Sequence, residues 1–162
     1  MSEQQQEQKK EKTLIIRRIK SGTVIDHIPY GSALQVLKIL HLPSPNYTSP
    51  ISVVMNVKSK LCGRKDIVKI EDKVLDETEL NKIALIAPSA SINIVRDFKV
   101  SEKKSVHLPD EIVGILRCHN PNCISNKGEP IQGRFYVYTK APLKLKCAYC
   151  ERIQSNIHNH FV

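Results

Sequence analysis

The spacing of hydrophobic positions changes along the 162-residue chain, and each change marks an element. Gly31 and Ser32 precede Ala33, Val36, Leu37 and Leu40, whose i, i+3, i+4, i+7 spacing predicts a helix with one buried face. Pro43, Pro45 and Pro50 then predict a loop. From residue 51 the period drops to two. Ile51, Val53, Met55 and Val57 share one face of a predicted strand, while Ser52 and Asn56 point away. Cys62-Gly63 predicts a turn, and residues 66–71 read as a further strand with Val68 and Ile70 on one face. Asp76 and Glu79 have the spacing of a capping box, so a second helix starts there. Leu80, Ile83, Ala84 and Ala87 form its face, and Pro88 ends it. Alternation returns over residues 91–97, with Ile92 and Ile94 opposing Asn93 and Val95. Upstream, Leu14-Ile15-Ile16 and Val24-Ile25 predict one long strand over residues 12–28, bent or bulged at Ser21-Gly22.

The resulting order is β, α, β, β, α, β. This predicts an α+β fold of the split βαβ, ferredoxin-like kind, with two helices on one face of an antiparallel sheet. Ser101 to Pro109 carries no pattern and is expected to be a linker. Three regions follow: a polar, Gln-rich tail over 1–11, expected to be disordered, a first domain over 12–104, and a second over 105–162. In the second, Arg134 to Tyr138 alternates as a strand, and residues 143–147 and 151–157 read as further strands.

Composition adds the chemistry. Aromatics are 5% of the chain and Trp is absent, so Ile, Leu and Val must fill the cores. A second domain of this size is marginal on hydrophobic burial alone. It carries Cys118 and Cys123 as C-x4-C, then 23 residues, then Cys147 and Cys150 as C-x2-C. Pro121 and the two Asn residues beside it supply turn geometry in the first knuckle. Two such pairs can deliver four sulfurs to one tetrahedral ion at about 2.3 Å. Two disulfides would use the same residues, but clustered Cys in a cytosolic-looking chain favour a metal. Zinc is expected over iron, because strands surround the long insertion. Four thiolates leave no open position, so the ion is structural. His107, His119, His158 and His160 read as ordinary polar residues, and Cys62 as a bystander.

The net charge is +9, and four thiolates with one divalent ion leave about +7. A polyanionic partner is therefore expected. An RNA-binding protein with a zinc ribbon is the alternative reading. It needs aromatics on the central strands, and residues 48–97 contain none, so no nucleic-acid partner is expected. No glycine-rich phosphate loop, open metal position or nucleophile–base pair points to an enzyme. The N-terminus lacks the apolar core of a signal peptide, and no apolar run is long enough for a membrane span, so a cytoplasmic protein without a membrane partner is expected.

Particular stretches carry a resemblance: GTVIDHIP at 22–29, GRKDIVKIED at 63–72, Ile83 to Pro88, CHNPNCIS at 118–125 and LKCAYCE at 145–151. In this order they resemble the regulatory chain of aspartate carbamoyltransferase over about residues 13–157. The resemblance implies a non-catalytic subunit of pyrimidine biosynthesis. Its first domain would bind nucleotide effectors such as CTP and ATP and pair with a second regulatory chain. Its zinc domain would dock on the catalytic chain. The resemblance places nucleotide contacts at Ile16, Arg18, Ile19, Val24, Asp26, His27, Lys69, Asn93, Val95, Phe98, Val100 and Lys103. Two positions depart from the family pattern. Arg17-Arg18 stands where an acidic and a small residue are expected, adding cations that favour triphosphates, and Phe98 stands where Tyr is common.

Overall fold

In the computed structural model, residues 16–128 and 130–162 are described. The N-terminal domain is a five-stranded antiparallel sheet with order β2-β3-β1-β4-β5. Its strands are β1 (Gly22–Pro29), β2 (Ile51–Ser59), β3 (Gly63–Glu71), β4 (Ser91–Arg96) and β5 (Lys99–Ser105). Helix α1 (Ala33–Ile39) joins β1 to β2, and α2 (Glu77–Ile86) joins β3 to β4. Alternation decides which face is covered. Ile25, Val68, Ile70 and Ile92 pack with Ala33, Val36, Leu37, Ile83 and Ala84 in one buried cluster. The predicted capping box closes the start of α2: the Glu79 amide donates to Asp76 at 2.8 Å, and the Asp76 amide donates to Glu79 at 3.0 Å.

Several expectations need correction. Among the described residues, the strand expected over 12–28 begins at Gly22, and residues 16–21 approach the sheet without joining it. Gly22 marks the change, with φ at 134° and a Cβ position that would lie 2.1 Å from the Ile70 carbonyl oxygen. Residues 12–15 of that strand and the 1–11 tail lie outside the described residues. Residues 101–105, expected in a linker, belong to edge strand β5. β5 is solvent-exposed along its length, so it needs no hydrophobic alternation. Met55 is exposed rather than facing the core, because a bulge shifts the register of β2 between Val54 and Val57.

That bulge faces a second one in β1, between Ile25 and Ile28, and Asp66 of β3 sits between them. Asp66 is fully buried. One carboxylate oxygen accepts from the Asn56 amide in the β2 bulge at 2.8 Å, and the other from the Ala33 amide at the start of α1 at 3.1 Å. It therefore satisfies two backbone groups that neither strand pairing nor helix bonding can reach.

The C-terminal domain is a four-stranded antiparallel sheet, order β6-β7-β8-β9. It comprises β6 (Glu111–Val113), β7 (Arg134–Lys140), β8 (Leu143–Cys147) and β9 (Ile153–Gln154). β6 is too short to show a period in sequence, and the strand expected over 151–157 is reduced to two residues. The core combines Ile112, Leu116, Phe135, Leu145 and Ile157 with three of the zinc-site cysteines. Leu85 of α2 also belongs to this second core, and Leu108 and Phe161 pack against both. No helix among the described residues is long and apolar enough to cross a membrane.

Asp66→Ala is expected to destabilise the zinc-loaded chain by about 3 kcal/mol, since it strands the buried Ala33 amide and the part-buried Asn56 amide at about 1–3 kcal/mol each. Urea unfolding measures this; a loss below about 1 kcal/mol would show that water satisfies both groups.

Candidate functional site

Two knuckles bring the cysteines together. In the first, the Cys123 amide donates to the Asn120 carbonyl at 3.0 Å, and the Asn126 side chain donates to the Cys118 and Asn120 carbonyls at 2.8 Å each. In the second, the Glu151 amide returns to the Cys147 carbonyl at 3.1 Å, with Glu151 at positive φ. Buried Gln154 accepts from the His119 amide at 3.0 Å and ties the first knuckle to β9. Asn120 acts locally, as a turn residue of the first knuckle, whereas Asn126 and Gln154 carry no spacing signal, because each acts through backbone groups that the fold brings near.

The four thiols are unlinked, and their sulfurs all lie within 4.8 Å of one another. Cys118 and Cys150 are 3.5 Å apart, and Cys123 and Cys147 are 3.7 Å apart. A tetrahedron with zinc–sulfur bonds of about 2.3 Å has sulfur–sulfur edges of about 3.8 Å, so the cluster fits one zinc ion. Burial pushes the Cys118 and Cys147 thiols up from their ordinary value. Burial also opposes ionisation of Cys150. There the Arg152 amide, Asn120 and the neighbouring thiols outweigh it and bring the value down to about 6. A divalent cation at the centre favours ionisation of all four. With every position filled by sulfur, the ion is structural, and it pins β8 to the loop after Leu116.

The N-terminal domain holds a cavity of about 430 Å³ on the sheet face that the helices leave free. It is lined by Arg18, Ile19, Val24, Lys69, Asn93, Val95, Phe98, Lys99 and Val100. Strand register explains the grouping. Lys69 stands opposite Val24, Val24 opposite Asn93, and Asn93 opposite Lys103, in one row across four strands. Val95 stands opposite Val100. The segment carrying Arg18 and Ile19 is fastened as a wall: the Lys69 ammonium donates to the Arg17 carbonyl at 3.0 Å, and the Phe98 amide donates to the Lys20 carbonyl at 2.9 Å. Burial, then the Arg18 charge, lowers the Lys69 pKa.

Eight of the twelve residues picked out in sequence thus line one cavity. The other four lie apart from its lining. Lys103 continues the row beyond Asn93, and Ile16 opens the described residues. Asp26 pairs with Lys65 at 2.8 Å, and the His27 ring lies 3.2 Å from the Ser91 hydroxyl. Lys99 lines the cavity but was not singled out; only its place beside Phe98 hinted at it.

Fold and sites together define a two-domain chain, one domain with a cavity on its open sheet face and the other built on a structural metal. Residues 14–107 match the family described as aspartate carbamoyltransferase regulatory chain, allosteric domain. Residues 110–159 match aspartate carbamoyltransferase regulatory chain, metal binding domain. The aspartate carbamoyltransferase regulatory chain of Thermococcus onnurineus is 58% identical over 139 residues, which cover 86% of this chain and 91% of that one. That of Thermofilum pendens is 56% identical over 146 residues, covering 90% and 91%. The chain belongs to the aspartate carbamoyltransferase regulatory-chain family, and its role is regulatory rather than enzymatic.

Cys147→Ser is expected to abolish stoichiometric zinc binding and to open the region after residue 110 to proteolysis, while the sheet of the first domain stays protected. Metal analysis and limited proteolysis check this. Full protection of the C-terminal sheet without zinc would contradict it.

Proposed function

We propose that this chain is the allosteric subunit of a cytoplasmic aspartate carbamoyltransferase in pyrimidine biosynthesis. Its first unit, over residues 12–104, binds nucleoside triphosphates such as CTP and ATP. Its second, over 105–162, docks through the zinc-stapled sheet on the catalytic chain. The observation that carries this reading is the cavity, whose lining includes eight residues implied by the family resemblance. Its volume lies in the range of small-molecule sites. Apolar Ile19, Val24, Val95 and Phe98 suit a base and sugar, and Lys69 with Lys103 on its row suits phosphate oxygens. The strand order β2-β3-β1-β4 with both helices on one face supports the ferredoxin-like assignment.

The signal route we favour runs through α2. Ile83 and Ala84 are buried under the sheet, while the adjacent Leu85 is buried in the zinc-domain core. A shift of α2 on the sheet therefore moves the second core. Exposed Tyr136 and Tyr138 on β7 support a docking surface for the catalytic chain. Exposed Tyr30, Leu34 and Leu61 support pairing of two regulatory chains.

Lys69→Ala is expected to weaken CTP binding about tenfold, the loss of one charge-assisted hydrogen bond. Calorimetry on the zinc-loaded chain measures this, and unchanged affinity would remove Lys69 from the site. The partner is tested by co-purification. The tagged chain should retain a carbamoyltransferase catalytic chain, and zinc removal should release it. Retention of RNA instead, in a salt-sensitive manner, would favour a nucleic-acid function.

A further inference from the structure

One wall of the cavity is supplied by no strand. Residues 16–21 bring Arg18 and Ile19 to the open sheet face, yet they form no part of the sheet. Whatever fastens this segment therefore sets the shape that a ligand meets. Two fastenings come from lining residues: Lys69 donates to the Arg17 carbonyl at 3.0 Å, and the Phe98 amide donates to the Lys20 carbonyl at 2.9 Å. A further one comes from Asp72, which is not a lining residue.

Asp72 follows the last residue of β3 with φ at 57°, a left-handed conformation that Asp tolerates better than most residues. Its amide donates to the Ser21 carbonyl at 3.1 Å. One carboxylate oxygen accepts from the Ser21 hydroxyl at 2.9 Å, and the other accepts from the Ser49 hydroxyl at 2.8 Å. The Ser49 and Ser21 hydroxyls hold this carboxyl below its ordinary pKa, as two donors aimed at the charged form must. Its neighbours are anchored too. The Glu71 amide donates to the Pro50 carbonyl at 3.1 Å, and the Tyr47 hydroxyl donates to the Glu71 carbonyl. The buried Thr23 hydroxyl donates to the Lys73 carbonyl at 2.6 Å. Residues 71–73 thus form a fixed corner between the start of β1 and the loop before β2, and Asp72 extends from it to the base of the wall.

We propose that Asp72 is the positioning residue of the cavity wall. Through Ser21 it holds residues 16–21 in place before any ligand arrives, and through Ser49 it braces them against the loop that leads into β2. The effect on ligand affinity rests on the nucleotide reading of the cavity; the effect on the wall does not. A wall that is in place for only part of the time lowers the apparent affinity by that fraction. Removing Asp72 costs no contact of its own with a ligand in the cavity, so any loss of affinity reports the wall.

The test combines amide hydrogen exchange with calorimetric CTP titration on the full zinc-loaded chain. Asp72→Gly removes the carboxylate and suits the positive φ, so it adds no backbone strain. Ser21→Ala removes the wall arm alone. Both are expected to speed exchange of the Phe98 amide, whose acceptor is the Lys20 carbonyl. Both should also weaken CTP binding about fivefold, within the range of one net hydrogen bond. Exchange at Val68 and Ile92, in the interior strands β3 and β4, should match the wild type. Asp72→Asn can accept from one hydroxyl and donate to the other, so it should keep exchange and affinity within about twofold of the wild type. Unchanged Phe98 exchange in Asp72→Gly and Ser21→Ala overturns the proposal, as does faster Phe98 exchange with unchanged CTP affinity. Faster exchange at Val68 and Ile92 also overturns it, because Asp72 would then support the whole sheet rather than the wall. A wild-type chain that binds no CTP overturns the nucleotide reading, and the exchange results still decide whether Asp72 holds the wall.

Discussion

Helices α1 and α2 pack on the same face of the N-terminal sheet, and this one-sided burial sets the rest of the structure. Strand alternation sends Ile25, Val68, Ile70 and Ile92 under the helices. By the same period it sends Val24, Lys69, Asn93 and Val95 to the other face, where they line the cavity. Core and cavity are two readings of one register. A slip of one residue would exchange them, placing a lysine in the core and isoleucines in the cavity. Asp66 guards that register, because its carboxylate fixes the β2 bulge and the entry to α1.

The C-terminal domain meets the opposite difficulty. Its strands are few and short, and a sheet of this size buries too little to stand alone. Four sulfurs around one ion take over part of that task. They tie the loop after Leu116 to β8, and β8 carries Leu145 and Cys147 into the second core. Leu85 then joins this core to a helix whose other buried residues belong to the first. The cavity and the zinc sheet are thus linked through one packed helix.

What the sequence revealed depended on whether the physics was local. The capping box at Asp76 and Glu79, the helix face at Ala33, Val36 and Leu37, and the strand alternation at 91–96 are short-range patterns, and they read directly. The four cysteines were legible because two close pairs of thiols at knuckle spacing point to a shared metal. Strand β5 was missed because an exposed edge needs no hydrophobic period. Asp66 lay at a core-facing position of an alternating strand, which flags a buried acid, but its partners are 10 and 33 residues away. Lys99 was missed for a similar reason. Only the fold shows that residues 18 and 99 border one cavity. The β1 expectation overran at residues 16–21, because the Gly22 geometry that turns the chain involves the backbone of β3.

Regulation by a nucleotide requires that the cavity and a catalytic partner be energetically coupled through this chain. Coupling between two sites is reciprocal, and typical values are about 1–3 kcal/mol. The direct measurement is CTP affinity for the assembled complex of regulatory and catalytic chains, with and without a substrate analogue saturating the catalytic site. Affinities that differ by about fivefold or more are expected. Equal affinities, with both ligands shown to bind, would contradict the coupling.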